Sequence, residues 1–290
     1  MASIAVTGAS GKLGSATIRF LLERQVAPNS IIAVARDPAK VAELAARGVQ
    51  VRRGDYTDPK SLESAFRGAD KLLFISTSVL GEERMLHHRN IVNAARAAAV
   101  GHIFYTSVIK PSADAKFAAS PGHFHTEALI RESGIPYTFF RNNLYLDLVP
   151  LMFGEALQTG TLVHNGGDGR VGFVAREDIA YALAAALTKG EHKNREYPIT
   201  AVTPYSLSDV ANALSKAGGK SVTYKALPTE EFHKMLEAKG VPAPIIGMSV
   251  GIGEAIRAGE FDAGSTELQR LMGRAPVTLE AFLRNTLTPK

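Results

Sequence analysis

Thr7-Gly8-Ala9-Ser10-Gly11-Lys12-Leu13-Gly14 lies between a short β-branched run, Ser3–Thr7, and a helical pattern, Leu13–Arg24, with Ile18, Leu21 and Leu22 on one face. Glycines at 8, 11 and 14 give G-x-x-G-x-x-G, a variant of the G-x-G-x-x-G turn of dinucleotide-binding proteins. The physics is shared. Gly8 permits the tight turn, Gly11 lets the backbone approach a pyrophosphate, and Gly14 lets helix and strand pack closely. Free N–H groups at the helix start and the helix dipole both favour an anion. Gly8, Ala9, Ser10, Gly11, Lys12, Leu13 and Gly14 are therefore candidate cofactor contacts. The plainer alternative is a glycine-rich turn that holds nothing. A nucleoside-triphosphate P-loop is excluded, because Lys12 is followed by Leu13. Gly218-Gly219-Lys220-Ser221 has the P-loop ending, but Leu214 stands where its first glycine belongs, so it reads as a helix-to-strand turn.

Outward from this loop, strand and helix patterns alternate through the first 145 residues. Strands are expected at Ser30–Ala35, Val49–Arg52, Lys71–Ser76, His102–Thr106 and Pro136–Phe140. Helical patterns run from Asp37 to Arg47, around Leu62–Phe66, over Glu83–Ala98 and around Phe124–Ser133. In the third of these, Met85, His88, Ile91, Val92 and Ala95 mark the apolar face. Further strands are expected at Thr161–His164, Val171–Ala175, Glu196–Thr200 and Ser221–Leu227, with an Ala-rich helix at Glu177–Thr188. Six strand–helix repeats predict an α/β fold: a Rossmann-type doubly wound parallel sheet with a smaller, mostly helical C-terminal lobe. The expected division is 1–150 for the nucleotide-binding domain, with 171–200 returning to it, and 201–290 for the substrate lobe.

Composition narrows the function. The 290 residues carry a net charge of +5, with 46% hydrophobic and 21% charged residues, an ordinary globular balance. Lys and Arg are scattered, so nucleic acid is not an expected partner. No apolar run approaches the ~18 residues of a membrane span, and the N-terminal residues lack a secretory pattern. The absence of cysteine removes disulfides, thiolate zinc sites and thiol nucleophiles, and fits a cytoplasmic protein. No metal site is expected, since nothing matches a His-Glu-x-x-His spacing.

The end of the second strand bears on the nucleotide. NAD sites place an acid there for the ribose hydroxyls, and NADP sites an Arg for the 2′-phosphate. Arg36 follows Ile31-Ile32-Ala33-Val34-Ala35, and its forked guanidinium suits a phosphate, so NADP(H) is expected over NAD(H). Two alternatives stay open: Arg36 as a surface cation paired with Asp37, and Asp37 as a late ribose ligand. Asp55 and Tyr56 after the third strand read as flanking an adenine, or as a cap and an exposed aromatic. Ser76, Thr77 and Ser78 after the fourth strand, and Thr106 and Ser107 at the fifth, are small hydroxylated residues at carboxyl ends of parallel strands. That position lets a nicotinamide approach, although such residues are also ordinary turn formers.

The loop and this strand order resemble the short-chain dehydrogenase/reductase superfamily, whose carbonyl reductases use a Tyr-x-x-x-Lys dyad. The helix expected to bear it reads His123-Phe124-His125-Thr126-Glu127, with neither Tyr nor Lys. Tyr56-Thr57-Asp58-Pro59-Lys60 matches the spacing in the wrong place. An ordinary ketone needs a positioned proton donor, whereas a quinone or a cationic dye accepts hydride to give a stabilised product. His123 is a candidate proton source, or a cap or surface residue.

Finer details point to the NmrA-like, atypical branch of that superfamily. They are Ile4-Ala5-Val6-Thr7-Gly8-Ala9-Ser10-Gly11, Ala33-Val34-Ala35-Arg36-Asp37-Pro38-Ala39-Lys40, Gly54-Asp55-Tyr56 and Lys71-Leu72-Leu73-Phe74-Ile75-Ser76. Tyr105-Thr106-Ser107, Gly134-Ile135-Pro136-Tyr137-Thr138-Phe139-Phe140-Arg141-Asn142 and Glu177-Asp178-Ile179-Ala180 continue the match. Within that branch the chain resembles the group of bacterial NAD(P)H:quinone oxidoreductases type 2 and triphenylmethane reductases. The resemblance implies an NADP-binding reductase of quinones or related aromatic acceptors, acting as a monomer or homodimer. It implies cofactor contacts at Gly8–Leu13, Arg36, Ser76–Ser78, in Asn142–Asp147 (Asn142, Asn143, Tyr145), and at Arg176 and Asp178. Asn142 and Tyr145 would line the nicotinamide side of the pocket; their plainer readings are a strand end and a core aromatic. Acceptor specificity would come from the C-terminal lobe, including Tyr224, Phe232 and Pro242–Met248. The main alternative is a redox sensor that binds NADP(H) and signals through a protein partner; a nucleotide-sugar epimerase of the extended superfamily would need the missing dyad and is not expected.

Overall fold

A computed structural model describes residues 2–287; positions 1 and 288–290 of the expected domain ranges lie outside the described residues. The first half alternates strictly: β1 (Ile4–Val6), α1 (Lys12–Glu23), β2 (Ile31–Ala35), α2 (Ala42–Ala46), β3 (Gln50–Arg53) and α3 (Pro59–Phe66). It continues with β4 (Lys71–Phe74), α4 (Gly81–Ala97), β5 (His102–Val108), α5 (Ser120–Glu132) and β6 (Tyr137–Asn142). After α6 (Val149–Phe153), α7 (Ala156–Thr159), β7 (Thr161–His164) and β8 (Arg170–Val171), the chain forms α8 (Arg176–Thr188) and β9 (Arg195–Ile199). The remainder is β10 (Tyr205–Ser206), α9 (Leu207–Gly218), β11 (Thr223–Ala226), α10 (Thr229–Ala238), α11 (Ala243–Arg257), α12 (Glu267–Met272) and α13 (Leu279–Leu287).

Seven strands form one sheet in the order β3-β2-β1-β4-β5-β6-β9. The register is parallel from β3 through β5, for example Val6 opposite both Ala33 and Leu73. The strand order reverses between β1 and β4, and in doubly wound folds the connections that leave the carboxyl ends at such a point part to form the crevice that binds ligands. The central strands are apolar because helices cover both faces. β1, β2 and β5 are buried along their whole length. Leu62, Ala65 and Phe66 of α3 pack with Ile91, Val92 and Ala95 of α4 in one core cluster.

The chain divides into two compact units. The first takes the chain up to Ala113, then Pro121–Arg141 and Arg176–Tyr197. The second takes Asp114–Ser120, Asn142–Ala175 and everything from Pro198 onward. The sequence pattern predicts these lines at 150, 171–200 and 201. The first unit leaves the chain at the end of β6 and regains it at α8, whose side chains include Arg19's partner Glu177.

Local differences have local causes. The helix expected from Asp37 to Arg47 is a 3-10 turn at Pro38–Val41 followed by α2; Asp37 caps it by accepting from the Ala39 N–H at 3.1 Å. Val171–Ala175 is not a continuous strand, because its pairing lapses after Val171 and resumes only in a bridge between Val174 and Tyr145. In α4 the buried face begins one residue earlier than the hydrophobic pattern implied: Arg84 is buried and Met85 only half-buried.

Candidate functional site

The glycine loop sits between β1 and α1 as read. Gly8 has φ +61°, the left-handed region that glycine enters without a steric cost. Its carbonyl accepts from the Gly11 N–H at 2.9 Å, and Ala9 N–H donates to Val34 O at 3.1 Å, pinning the loop to β2. A Cβ on Gly14 would run into the Gly8 carbonyl, so the loop lies directly against the first turn of α1. Gly11 precedes α1 with no side-chain cap, which leaves the N–H groups of the first turn available to an anion.

Arg36 follows β2 and is exposed. Asp37 is occupied as the cap of the next turn and forms no ion pair with it. The charges of Arg36 and Arg53 instead act on Asp55. That carboxyl is held below its usual value mainly by the Thr57 N–H, with the Thr57 hydroxyl and the two arginines adding to it. Asp55 Oδ1 accepts from both Thr57 groups, at 3.0 and 2.8 Å. Tyr56 is not an exposed aromatic: its hydroxyl donates to Ile75 O at 2.8 Å, and burial raises its pKa. Asp55 and Tyr56 thus brace the carboxyl ends of β3 and β4.

Hydroxyls join the next strand ends. Thr7 Oγ1 accepts from Ile75 N–H at 2.9 Å, and Thr106 Oγ1 accepts from Ser76 N–H at 2.9 Å. Thr106 and Ser107 lie inside β5, which runs on to Val108, and both are buried. The Ser107 hydroxyl donates to Glu127 Oε1 at 2.7 Å, so Ser107 keeps only acceptor capacity.

His123 and Glu127, on the helix expected to bear a dyad, lie one helical turn apart on α5. The Tyr105 hydroxyl and Arg84 NH2 contact His123 Nδ1 and Nε2 at 2.7 and 2.6 Å. Burial, then the charges of Arg84 and His88, push its pKa well below the usual histidine value. Glu127 accepts from Arg141 Nε and NH2 at 3.0 and 2.6 Å and from Arg131 at 3.1 Å. Arg131 and Arg141 also pair with Glu196 at 2.6 and 2.8 Å.

In the second unit, Asn142 donates to the Tyr145 hydroxyl at 3.4 Å, while its buried Oδ1 has no protein partner. Asn143 is fully engaged, with Nδ2 on Thr200 Oγ1 and Phe261 O and Oδ1 accepting from Leu144 N–H. Arg176 opens α8 in the first unit, two residues before the buried Asp178. Of the residues linked to acceptor specificity, Tyr224 donates to Gly167 O at 2.9 Å, and Phe232 lines a cavity of about 210 Å³ with Phe153, His164 and Met235. Ile245 and Met248 on α11 are exposed. Among the described residues no cluster of His, Asp or Glu could hold a metal ion, and no helix is long and apolar enough to cross a membrane.

The fold and the turn at Gly8–Gly14 define a Rossmann-type α/β protein of the dinucleotide-binding class. A family model described as the NmrA-like family matches residues 1–283, and the chain belongs to that family. It is 36% identical to quinone oxidoreductase 2 of Escherichia coli K12 over 95% of this chain and 96% of that one. The NADPH complex of that E. coli enzyme superposes with a TM-score of 0.93 at 34% identity, over 98% and 100% of the two chains. The Citrobacter sp. triphenylmethane reductase complexed with NADP(H) superposes with a TM-score of 0.92 at 38% identity, over the same shares. An NAD(P)H azoreductase of Xenophilus azovorans is 31% identical over 82% of each chain.

Proposed function

We propose that the protein is an NADPH-dependent reductase that passes hydride to a quinone or a related conjugated acceptor, a triphenylmethane-type dye included, without a Tyr-x-x-x-Lys acid. The chain is an NAD(P)H-dependent oxidoreductase, as its long, near-full-length similarity to such enzymes indicates. The observation that carries the finer reading is the pairing of an uncapped α1 N-terminus behind the Gly8–Gly14 turn with an exposed Arg36 that Asp37 leaves unpaired. The first suits a pyrophosphate; the second suits a 2′-phosphate.

In this reading Gly8–Gly14, Arg36, Asp55, Tyr56 and Ser76–Ser78 hold the cofactor, which supplies hydride when bound. Thr106, Ser107, Asn142, Tyr145 and Arg176 complete its contacts, whereas the fully engaged Asn143 holds the loop after β6 in place. The orphaned Asn142 Oδ1 suits an amide N–H donor such as a nicotinamide carboxamide. A quinone that accepts hydride becomes a hydroquinone anion, which takes its proton from water, so positioning rather than acid catalysis supplies the rate. His123, held neutral between Arg84 and Tyr105, serves as a hydrogen-bond bridge, so His123→Ala should leave quinone turnover largely intact, and a collapse in turnover would overturn the no-acid reading.

The test is oxidation of NADPH and of NADH by the purified protein against several quinones and one cationic dye. Turnover that prefers NADPH is expected. Arg36→Ala should raise the NADPH KM roughly tenfold and leave the NADH KM nearly unchanged, the loss of one charge-assisted contact. Equal effects on both would sink the 2′-phosphate assignment. Tight NADPH binding with no acceptor turned over would favour the sensor function.

A further inference from the structure

Arg84 is a cation that the reading above does not use. It sits in the first turns of α4 at 2% exposure, and among the described residues no carboxylate pairs with it. Its guanidinium donates to Thr77 O at 3.0 Å, to Val79 O at 3.2 Å and to His123 Nε2 at 2.6 Å. All its partners are neutral acceptors. A buried cation without a counter-charge is costly, and the three hydrogen bonds from its two terminal nitrogens offset part of that cost, while Nε is buried without a partner.

The proton positions around it follow from groups that can only donate. Because Arg84 donates to Nε2 of His123, that nitrogen carries no proton, and Nδ1–H donates to the Tyr105 hydroxyl at 2.7 Å. On the neighbouring ring, Thr77 N–H donates to His88 Nε2 at 3.2 Å, so His88 Nδ1–H donates to Thr126 Oγ1 at 2.7 Å. Thr126 in turn donates to Gly122 O at 2.6 Å. Protonating either ring would set two donors face to face. The backbone of Thr77 is therefore gripped on both sides, its N–H by His88 and its C=O by Arg84. Val79 C=O is held by Arg84 and Ser76 N–H by Thr106. No strand or helix supplies these four bonds; side chains of α4 and β5 do. Gly122 completes the fit, since a Cβ there would stand 2.5 Å from Arg84 Cδ.

We infer that Arg84 is a positioning residue: a buried guanidinium that fixes the Ser76–Val79 segment in its cofactor-accepting shape, with neutral His88 and His123 as its bracing. This rests on the reading of Ser76–Ser78 as a cofactor loop. The experiment compares wild type with Arg84→Met and Arg84→Lys by amide hydrogen exchange without cofactor, NADPH fluorescence titration, and KM and kcat for NADPH. In Arg84→Met, exchange at Ser76–Leu80 should rise about tenfold with the rest of the chain little changed. NADPH binding should weaken roughly tenfold, with the loss in KM rather than in kcat. Arg84→Lys should recover part of both effects. Gly122→Ala, which crowds Arg84 without removing it, should give a weaker copy and replaces Arg84→Met should that variant not fold. Unchanged exchange at Ser76–Leu80 in a folded variant overturns the inference, as does faster exchange throughout the chain. Faster exchange confined to that segment with unchanged NADPH affinity upholds the anchor and overturns the cofactor reading of the loop.

Discussion

Along one face of α5, His123 and Thr126 meet Arg84 and His88, while one turn further on Glu127 meets Ser107, Arg141 and Arg131. The first half carries a single buried cation among neutral acceptors. The second balances Glu127 and Glu196 against two arginines. Opposed charges largely satisfy one another, so the second half ties α5 to β5, β6 and β9. A cation without a counter-charge must find carbonyls, and here it finds those of a loop. The first arrangement shapes a backbone that regular structure leaves free; the second holds the scaffold.

Acid should separate the two halves most strongly. His88 and His123 are pushed well below the ordinary histidine value, chiefly by burial, and burial takes His102 and His164 down to about 4. In the unfolded chain each ring titrates near 6.5. Below that pH the unfolded state binds protons that the native state refuses, so this stability is complete above about pH 7 and is lost as pH falls towards 4. For His102 and His164 the full loss is about 3 kcal/mol each. Urea midpoints between pH 7.5 and 4.5 should fall steeply, and His123→Gln should make the fall shallower. A flat profile would break the distinction.

Next in size is Glu127→Gln. It leaves Arg141 and Arg131 facing a neutral amide and should cost about 3 kcal/mol in urea denaturation. The NADPH affinity of the folded protein should barely change, because this half holds scaffold rather than loop. Weakened cofactor binding would merge the two networks into one. Smallest is Arg131→Ala. Its side chain is 38% exposed and Arg141 remains on Glu127, so about 0.5–1 kcal/mol is expected by the same measurement.

The glycine turn was legible because its geometry is local. Gly8, Gly11 and Gly14 lie within seven residues, and each meets its constraint inside the β1–α1 turn. Asp37 and Pro38 announce their own turn, and Leu62, Ala65 and Phe66 their own buried face. Arg84 was not legible. In Glu82-Glu83-Arg84-Met85 the apolar pattern nominates Met85, and a buried Arg contradicts every composition rule. The one available sign was Gly122, a glycine in the first turns of a helix where nothing local requires one.

From the sequence alone came the alternation of strands and helices, the glycine turn, the arginine after β2 and the absence of the dyad, since each depends on neighbours within a few residues. What the polar side chains of α5 and β5 do was decided only in three dimensions. Whether His123 is a proton source or a fixed acceptor depends on a guanidinium 39 residues away, and the fate of Ser107 depends on a carboxylate 20 residues away. A side chain's protonation and hydrogen-bond direction are set by the groups packed against it, and packing across helices is not written in the spacing along any one of them.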